Sequence, residues 1–126
     1  MSGAYLTSTD SRVLILEDSA TDAEQFQTAL SAAGFSPHLV TDGASALLEL
    51  ETWRPAAILV DLRARGRDGH RFCSALARRA DESPLPVVLI GELPNLLKHA
   101  TVTPAALVST PVDDEMLVQA VRRAVH

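Results

Sequence analysis

The chain has 126 residues, of which 47% are hydrophobic and 21% charged, and its formal net charge is −5. This length fits one ordinary domain and argues against an enzyme with separate cofactor and substrate domains. The apolar content is sufficient for a folded core, which excludes disorder as the overall state. The negative charge disfavours direct binding to nucleic acid or to an acidic membrane surface.

The apolar runs 13–16 and 56–60 are far too short to cross a bilayer, and the first residues do not form a charged-then-apolar leader. We therefore expect a soluble, cytoplasmic protein. Cys73 is the single cysteine, so neither an internal disulfide nor a cysteine pair for zinc is available. We expect its thiol to be buried.

Residues 1–11 are small and polar and predict a flexible tail, whereas 12–126 predict one domain. In that domain, short apolar runs alternate with amphipathic segments, which is the pattern of βα units around a parallel sheet. The runs are continuous rather than alternating, which predicts strands covered on both faces. The predicted strands are 13–17, 37–40, 56–61, 86–90 and 105–108.

The amphipathic segments predict helices that cover this sheet. In the first of them, apolar residues recur every three or four positions, and Gly34 follows as the expected C-cap. The segment 91–103 holds Pro94 and precedes Pro104, so we expect a short or irregular fourth helix there. Right-handed crossovers then give a doubly wound, three-layer α/β sandwich. The other predicted helices are 20–33, 45–51, 71–79 and 113–125.

Carboxylates stand at the ends of two predicted strands: Glu17 and Asp18 at the first, and Asp61 at the third. If these strands are neighbours, the three side chains converge at the edge where the strand order reverses. Like charges so close are costly unless a divalent cation such as Mg²⁺ lies among them. A carboxylate beside Mg²⁺ can attack a phosphoryl group. Alternatively, Asp18 caps the first helix and Asp61 opens a turn.

Four motifs together resemble the receiver domains of bacterial two-component response regulators: VLILEDSATDAE (13–24), ILVDLRARGRDG (58–69), PVVLIG (86–91) and STPVDDEML (109–117). The resemblance implies a five-stranded flavodoxin-like fold with strand order 2-1-3-4-5 and a cis Thr110–Pro111 peptide bond. It also implies that Asp61 receives a phosphoryl group from a histidine kinase or phosphotransfer protein. By the same resemblance, Mg²⁺ would bind to Glu17, Asp18, Asp61 and the backbone carbonyl of Arg63.

Three positions depart from the family pattern. Gly91 replaces a Ser or Thr hydroxyl, Thr110 replaces a Lys that neutralises phosphoryl oxygens, and Leu107 replaces an aromatic switch residue. Losing one charge-assisted contact to a phosphoryl group costs about 1.5 to 3 kcal/mol, or roughly ten- to a hundredfold in an equilibrium. Receipt of the phosphoryl group at Asp61 is therefore to be distinguished from transmission of the signal. The switch positions that transmit it in the family are degenerate here, because their characteristic side chains are replaced.

Arg63 lies two positions after Asp61, within a set of six arginines between 63 and 79. One interpretation is that its side chain enters the acidic pocket, where it either supplies a cation to the phosphoryl group or pairs with the carboxylates in place of Mg²⁺. Mg²⁺ binding would then be weakened or absent. The other interpretation is that these arginines line a solvated loop and helix face.

These observations favour a single-domain receiver that is not an enzyme, has no attached DNA-binding domain and acts through a downstream protein partner, with a homodimer as a further possibility. The alternative is a pseudo-receiver, a protein-binding module that works without phosphorylation. A small phosphate hydrolase would use the same carboxylates with Mg²⁺, but the 126 residues offer no second nucleophile, base or enclosing insertion.

Overall fold

The computed structural model of the chain describes residues 11–63, 67–79, 84–92 and 102–125. Its strands pair in parallel in one five-stranded sheet with the order β2-β1-β3-β4-β5, which confirms the expected topology. Residues 1–10 of the expected tail and 93–101 of the expected irregular helix lie outside the described residues. The strands are β1 (Arg12–Leu16), β2 (Ser36–Val40), β3 (Ala57–Asp61), β4 (Val87–Gly91) and β5 (Ala106–Ser109).

Within the described ranges, four helices cover the sheet, two on each face. One face packs against α1 and α4, with Phe26 and Leu117 fully buried between the layers. The opposite face packs against α2 and α3, with Ala46 and Phe72 buried there. This is the expected three-layer sandwich. None of these helices has the length and apolar character that a membrane span requires. The helices are α1 (Ala20–Ala32), α2 (Gly43–Glu49), α3 (Asp68–Ala77) and α4 (Asp114–Ala124).

Two of the helices begin earlier in the chain than the sequence predicts. Helix α2 begins two residues earlier than predicted because the Asp42 carboxylate accepts a hydrogen bond from the Ser45 amide at 2.7 Å and caps it. Helix α3 begins at Asp68 rather than 71, directly after Arg67 in a left-handed conformation with φ 60°. Gly34, with φ +96°, follows the end of α1, as the sequence predicts.

The prediction that every strand is covered on both faces is wrong for the two edge strands. β3 and β4 are buried throughout, and β1 is buried after its first residue. In β2, by contrast, Ser36 and His38 are exposed, and Leu107 in β5 is 36% exposed. Both outer strands are thus only partly buried, and exposed positions in β2 carry polar residues.

The single tryptophan, Trp53, lies in a small cluster at the end of the sheet where β1 begins. The Arg12 guanidinium carbon stands 4.7 Å from the centre of the Trp53 ring, a cation–π distance. The His38 ring meets the same indole edge-on, with ring centres 5.5 Å apart. The indole Nε1 donates a hydrogen bond of 2.8 Å to Glu49 Oε1. This cluster joins β1, β2 and the last turn of α2.

Candidate functional site

The acidic pocket lies at the carboxyl ends of the two central strands β1 and β3. Leu16 is paired with Val60, so Glu17 and Asp61 follow on neighbouring strands at the same level. The chain crosses from one side of β1 to the other at this edge, where doubly wound folds bind their ligands. Glu17 and Asp61 are each only 2% exposed, and they are the two buried charged residues of the described chain.

A third carboxylate, Asp22, completes this pocket. One carboxylate oxygen from each of Glu17, Asp22 and Asp61 lies within 4.8 Å of the others. Asp22 belongs to the first turn of α1, where the Ser19 hydroxyl accepts a hydrogen bond of 3.3 Å from its amide and fixes the start of the helix. Asp22 does not follow a strand directly, so the prediction from strand ends missed it.

Asp18 is placed differently from its two predicted partners. It is exposed, and it is not among the three carboxylates that the described residues bring together. Its predicted role as a metal ligand, like that of the Arg63 backbone carbonyl, stays a prediction. The sequence pattern EDSATD nevertheless contained the missing residue, since Asp22 lies one helical turn beyond Asp18.

Arg63 enters the acidic pocket, as the first interpretation of the sequence holds. Its Nε donates to Asp61 Oδ1 at 2.9 Å and its Nη2 donates to Asp61 Oδ2 at 2.6 Å, a two-point ion pair. The same Nη2 lies 3.3 Å from Asp22 Oδ2. The Arg63 backbone amide also donates to Asp61 Oδ1, at 2.8 Å. One guanidinium therefore bridges two of the three carboxylates.

The environment drives the pKa values of the two buried carboxyl groups apart. Burial, strengthened by the neighbouring Asp61, raises the pKa of Glu17 to about 8. Burial acts to raise the pKa of Asp61 too, but the hydrogen bonds from Arg63 outweigh it and lower that pKa. Between these two neighbouring carboxyl groups, the environment therefore favours the proton on Glu17 and the charge on Asp61.

The donor set suits a hard divalent cation. All three groups are carboxylates, the ligand type that Mg²⁺ prefers. Glu17 Oε2 accepts a hydrogen bond from the Ser19 amide at 3.1 Å, whereas its buried Oε1 has no hydrogen-bond partner within the described part of the chain. A buried oxygen without a partner is costly, and when Glu17 is ionised a cation among these carboxylates would satisfy it.

The start of α3 makes close contacts with the end of β3 and with the start of α2. A Cβ added to Gly69 would come within 3.0 Å of the Asp61 carbonyl oxygen, so this position admits no side chain without movement. Asp68 Oδ2 accepts a hydrogen bond of 2.6 Å from the Gly43 amide, which connects the starts of α3 and α2. Gly66, which belongs to the same motif of residues 58–69, lies outside the described residues.

The three positions predicted to be switch positions lie in or directly after β4 and β5. Gly91 ends β4 and is paired with Ser109 of β5, and the Thr110 amide donates to the Gly91 carbonyl at 3.1 Å. The Thr110–Pro111 peptide bond is cis, as predicted. Leu107 is partly exposed in β5. The functional consequence expected from these replacements stays a prediction.

The fold and site define a class of protein: a doubly wound α/β domain with a carboxylate pocket at the point where the strand order reverses. The family profile of the response regulator receiver domain matches residues 13–122. The chain therefore belongs to the response regulator receiver domain family, as its motifs indicated.

Curated relatives resemble this chain over part of their length. The DNA-binding response regulator MtrA of Mycobacterium tuberculosis H37Rv is 35% identical over 79 residues, which cover 63% of this chain and 33% of MtrA. The response regulator MprA of Mycobacterium avium is 31% identical over 77 residues, which cover 61% of this chain and 34% of MprA. The match thus spans about a third of either relative.

Solved structures resemble this chain over nearly the whole domain. The receiver domain of a signal transduction histidine kinase from Syntrophus aciditrophicus superposes with a TM-score of 0.80 at 27% identity, covering 91% of this chain and 89% of that one. The receiver domain of a sensor histidine kinase from Pseudomonas aeruginosa, which holds a magnesium ion in its active site cleft, has a TM-score of 0.80 at 20% identity, covering 91% and 97%. The second likeness is one of fold alone.

Proposed function

We propose that this domain receives a phosphoryl group at Asp61 in two-component signalling. The observation that carries the proposal is the state of Asp61, a carboxylate 2% exposed whose pKa is nevertheless lowered because the hydrogen bonds from Arg63 outweigh the effect of burial. An ionised carboxylate is the nucleophile that the transfer requires. Its oxygen attacks the phosphorus of a phosphohistidine, the phosphorus–nitrogen bond breaks, and the released imidazole takes up a proton.

The donor for this transfer is a histidine kinase or a phosphotransfer protein. Glu17, Asp22 and Asp61 would hold a Mg²⁺ ion, with Asp18 and the Arg63 carbonyl as the further ligands that the family resemblance implies. When bound, the ion neutralises charge on the phosphoryl oxygens. The protein's own contribution is to bury Asp61, to hold it ionised, and to fix its orientation through the Arg63 amide at 2.8 Å.

The output is proposed to run through a downstream protein partner in the cytoplasm, or through a homodimer, and not through chemistry of the domain itself. Receiver domains are signalling modules rather than enzymes in the usual sense. The matched part of MtrA is about a third of that DNA-binding regulator. Direct DNA contact by this domain is disfavoured by its net charge of −5.

A second candidate, a pseudo-receiver that binds its partner without phosphorylation, is favoured by one specific observation. Arg63 already occupies both oxygens of Asp61, so the carboxylate is paired before any donor arrives. Gly91 and Thr110, which lack the family's hydroxyl and ammonium groups, favour the same alternative. The two candidates differ in whether a phosphoryl group reaches Asp61.

The deciding experiment is intact-mass spectrometry after incubation with Mg²⁺ and a small-molecule phosphodonor. We expect one phosphoryl adduct on the wild type and none on Asp61→Asn. Asp114→Asn, at an exposed position of α4, is the matched control and should be phosphorylated like the wild type. Absence of an adduct on the wild type, with folding verified by circular dichroism and no Mg²⁺ binding by titration, would refute the proposal and favour the pseudo-receiver.

A further inference from the structure

Arg63 supplies positive charge to a cluster of three acidic side chains, Glu17, Asp22 and Asp61. Asp61 is 2% exposed, whereas the Arg63 and Asp22 side chains are 37% and 32% exposed. A buried carboxylate is tolerated when it is paired and hydrogen-bonded, and Arg63 fulfils both requirements. The positive charge at Asp61 therefore comes from the chain itself.

The hydrogen-bond geometry leaves little of Asp61 available to another cation. Oδ1 accepts from both the Arg63 amide and Nε, at 2.8 and 2.9 Å, while Oδ2 accepts from Nη2 at 2.6 Å. An sp² oxygen has two lone pairs, so Oδ1 is saturated. Nη2 also stands 3.3 Å from Asp22 Oδ2, between the two carboxylates that a metal ion would join.

We propose that Arg63 is the resident cation of the acidic pocket, and that its guanidinium competes directly with Mg²⁺ for Asp61 and Asp22. This inference rests on the proposed function, because the metal and the phosphoacceptor belong to that function. Arg63 is a positioning residue: it acts through Asp61. Its side chain is about one-third exposed, so the guanidinium has solvent to move into when a metal ion enters.

The competition predicts that removing the guanidinium strengthens Mg²⁺ binding. Arg63→Ala removes the guanidinium from both oxygens of Asp61 and from Asp22 Oδ2, while the backbone amide still donates to Asp61 Oδ1. Charge-assisted hydrogen bonds of the kind removed correspond to about a ten- to hundredfold change in an equilibrium. Arg71→Ala, at an exposed position of α3, removes the same charge away from these carboxylates and is the matched control.

The test is a Mg²⁺ titration of the unphosphorylated full chain by isothermal calorimetry. We expect the Mg²⁺ dissociation constant of Arg63→Ala to fall about ten- to a hundredfold below the wild-type value, and that of Arg71→Ala to stay within about twofold of it. An unchanged constant in Arg63→Ala, or no detectable binding in either wild type or Arg63→Ala, overturns the proposal. Arg63→Lys, which keeps the charge but loses the two-point geometry, should bind with intermediate affinity.

A measurement on the wild type covers the case in which Arg63→Ala does not fold. The Arg63 Nε–H resonance in a nitrogen–proton NMR spectrum reports the hydrogen bond to Asp61. We expect it to move toward the position of a solvated arginine as Mg²⁺ is added, along the calorimetric binding curve. A resonance that stays in place at saturating Mg²⁺ overturns the proposal. Neither experiment uses a phosphodonor, so failure of Asp61 to accept phosphate is a separate result.

Discussion

Replacing Glu17 by Gln tests the electrostatics of the pocket with almost no change in shape. Glu17 is 2% exposed, and its Oε1 lacks a hydrogen-bond partner within the described part of the chain. Burial raises its pKa from 4.5 to about 8. Gln has similar volume and no charge at any pH, so the substitution removes only the titration.

The sign of the effect follows from proton uptake. Below about pH 4.5 the carboxyl group is protonated in both the folded and unfolded states, so it contributes no pH dependence. Between pH 4.5 and pH 8 the unfolded chain releases this proton and the folded chain keeps it. The free energy of unfolding therefore falls as pH rises, by about 1.4 kcal/mol per pH unit. Between pH 5 and pH 8 the loss is about 3 to 4 kcal/mol.

The assay is urea denaturation at pH 5 and pH 8 in buffer with a chelator, because a bound cation would lower the pKa of Glu17. We expect Glu17→Gln to be close to the wild type at pH 5 and more stable by about 3 to 4 kcal/mol at pH 8. The control Glu24→Gln, on the exposed side of α1, should show no such gain. If the difference between Glu17→Gln and wild type were equal at the two pH values, the raised pKa would be refuted.

Three further substitutions or reactions test the packing around the site. Gly69→Ala places a Cβ 3.0 Å from the Asp61 carbonyl oxygen and should lower the free energy of unfolding by about 1 to 3 kcal/mol in urea denaturation. An unchanged midpoint would show that the neighbouring atoms move apart without cost. Phe26→Ala empties a fully buried position and should cost about 3 to 5 kcal/mol in the same assay, so a loss well under 1 kcal/mol would contradict the described core. The thiol of Cys73, with its pKa raised to about 11 by burial, should resist a disulfide reagent at pH 8 until urea unfolds the chain, and rapid reaction of the native protein would contradict that burial.

The topology was predictable because it depends on a repeated signal. Each buried strand is a short apolar run, and each run is followed by a segment with helical spacing, so the parallel, doubly wound architecture followed from connection rules. The strand order 2-1-3-4-5 was implied by the family resemblance. Burial of the edge strands was not predictable in this way. β2 contains the exposed His38. A mostly apolar run in the sequence does not indicate whether both faces of the strand are covered.

The candidate site was predictable at strand ends and not beyond them. Glu17 and Asp61 are adjacent because their strands are adjacent, which the sheet order dictates. Asp22 lies in α1. An acidic residue on the polar face of a helix carries no pattern that distinguishes a site residue from an ordinary surface residue. For Arg63 the spacing left two arrangements open, because a long flexible side chain can reach the pocket or the solvent. The hydrogen bonds to Asp61 decided between them.

The position of Trp53 determines what fluorescence can report. Its indole contacts Arg12, the first residue of β1, whereas the acidic pocket begins at Glu17, beyond the last residue of that strand. At about 3.3 Å per residue these points are roughly 16 Å apart. Since Trp53 is the single tryptophan, its intrinsic emission monitors the separation of β2 and α2 from β1. Ligand binding at the carboxylates calls for a probe placed nearer to them.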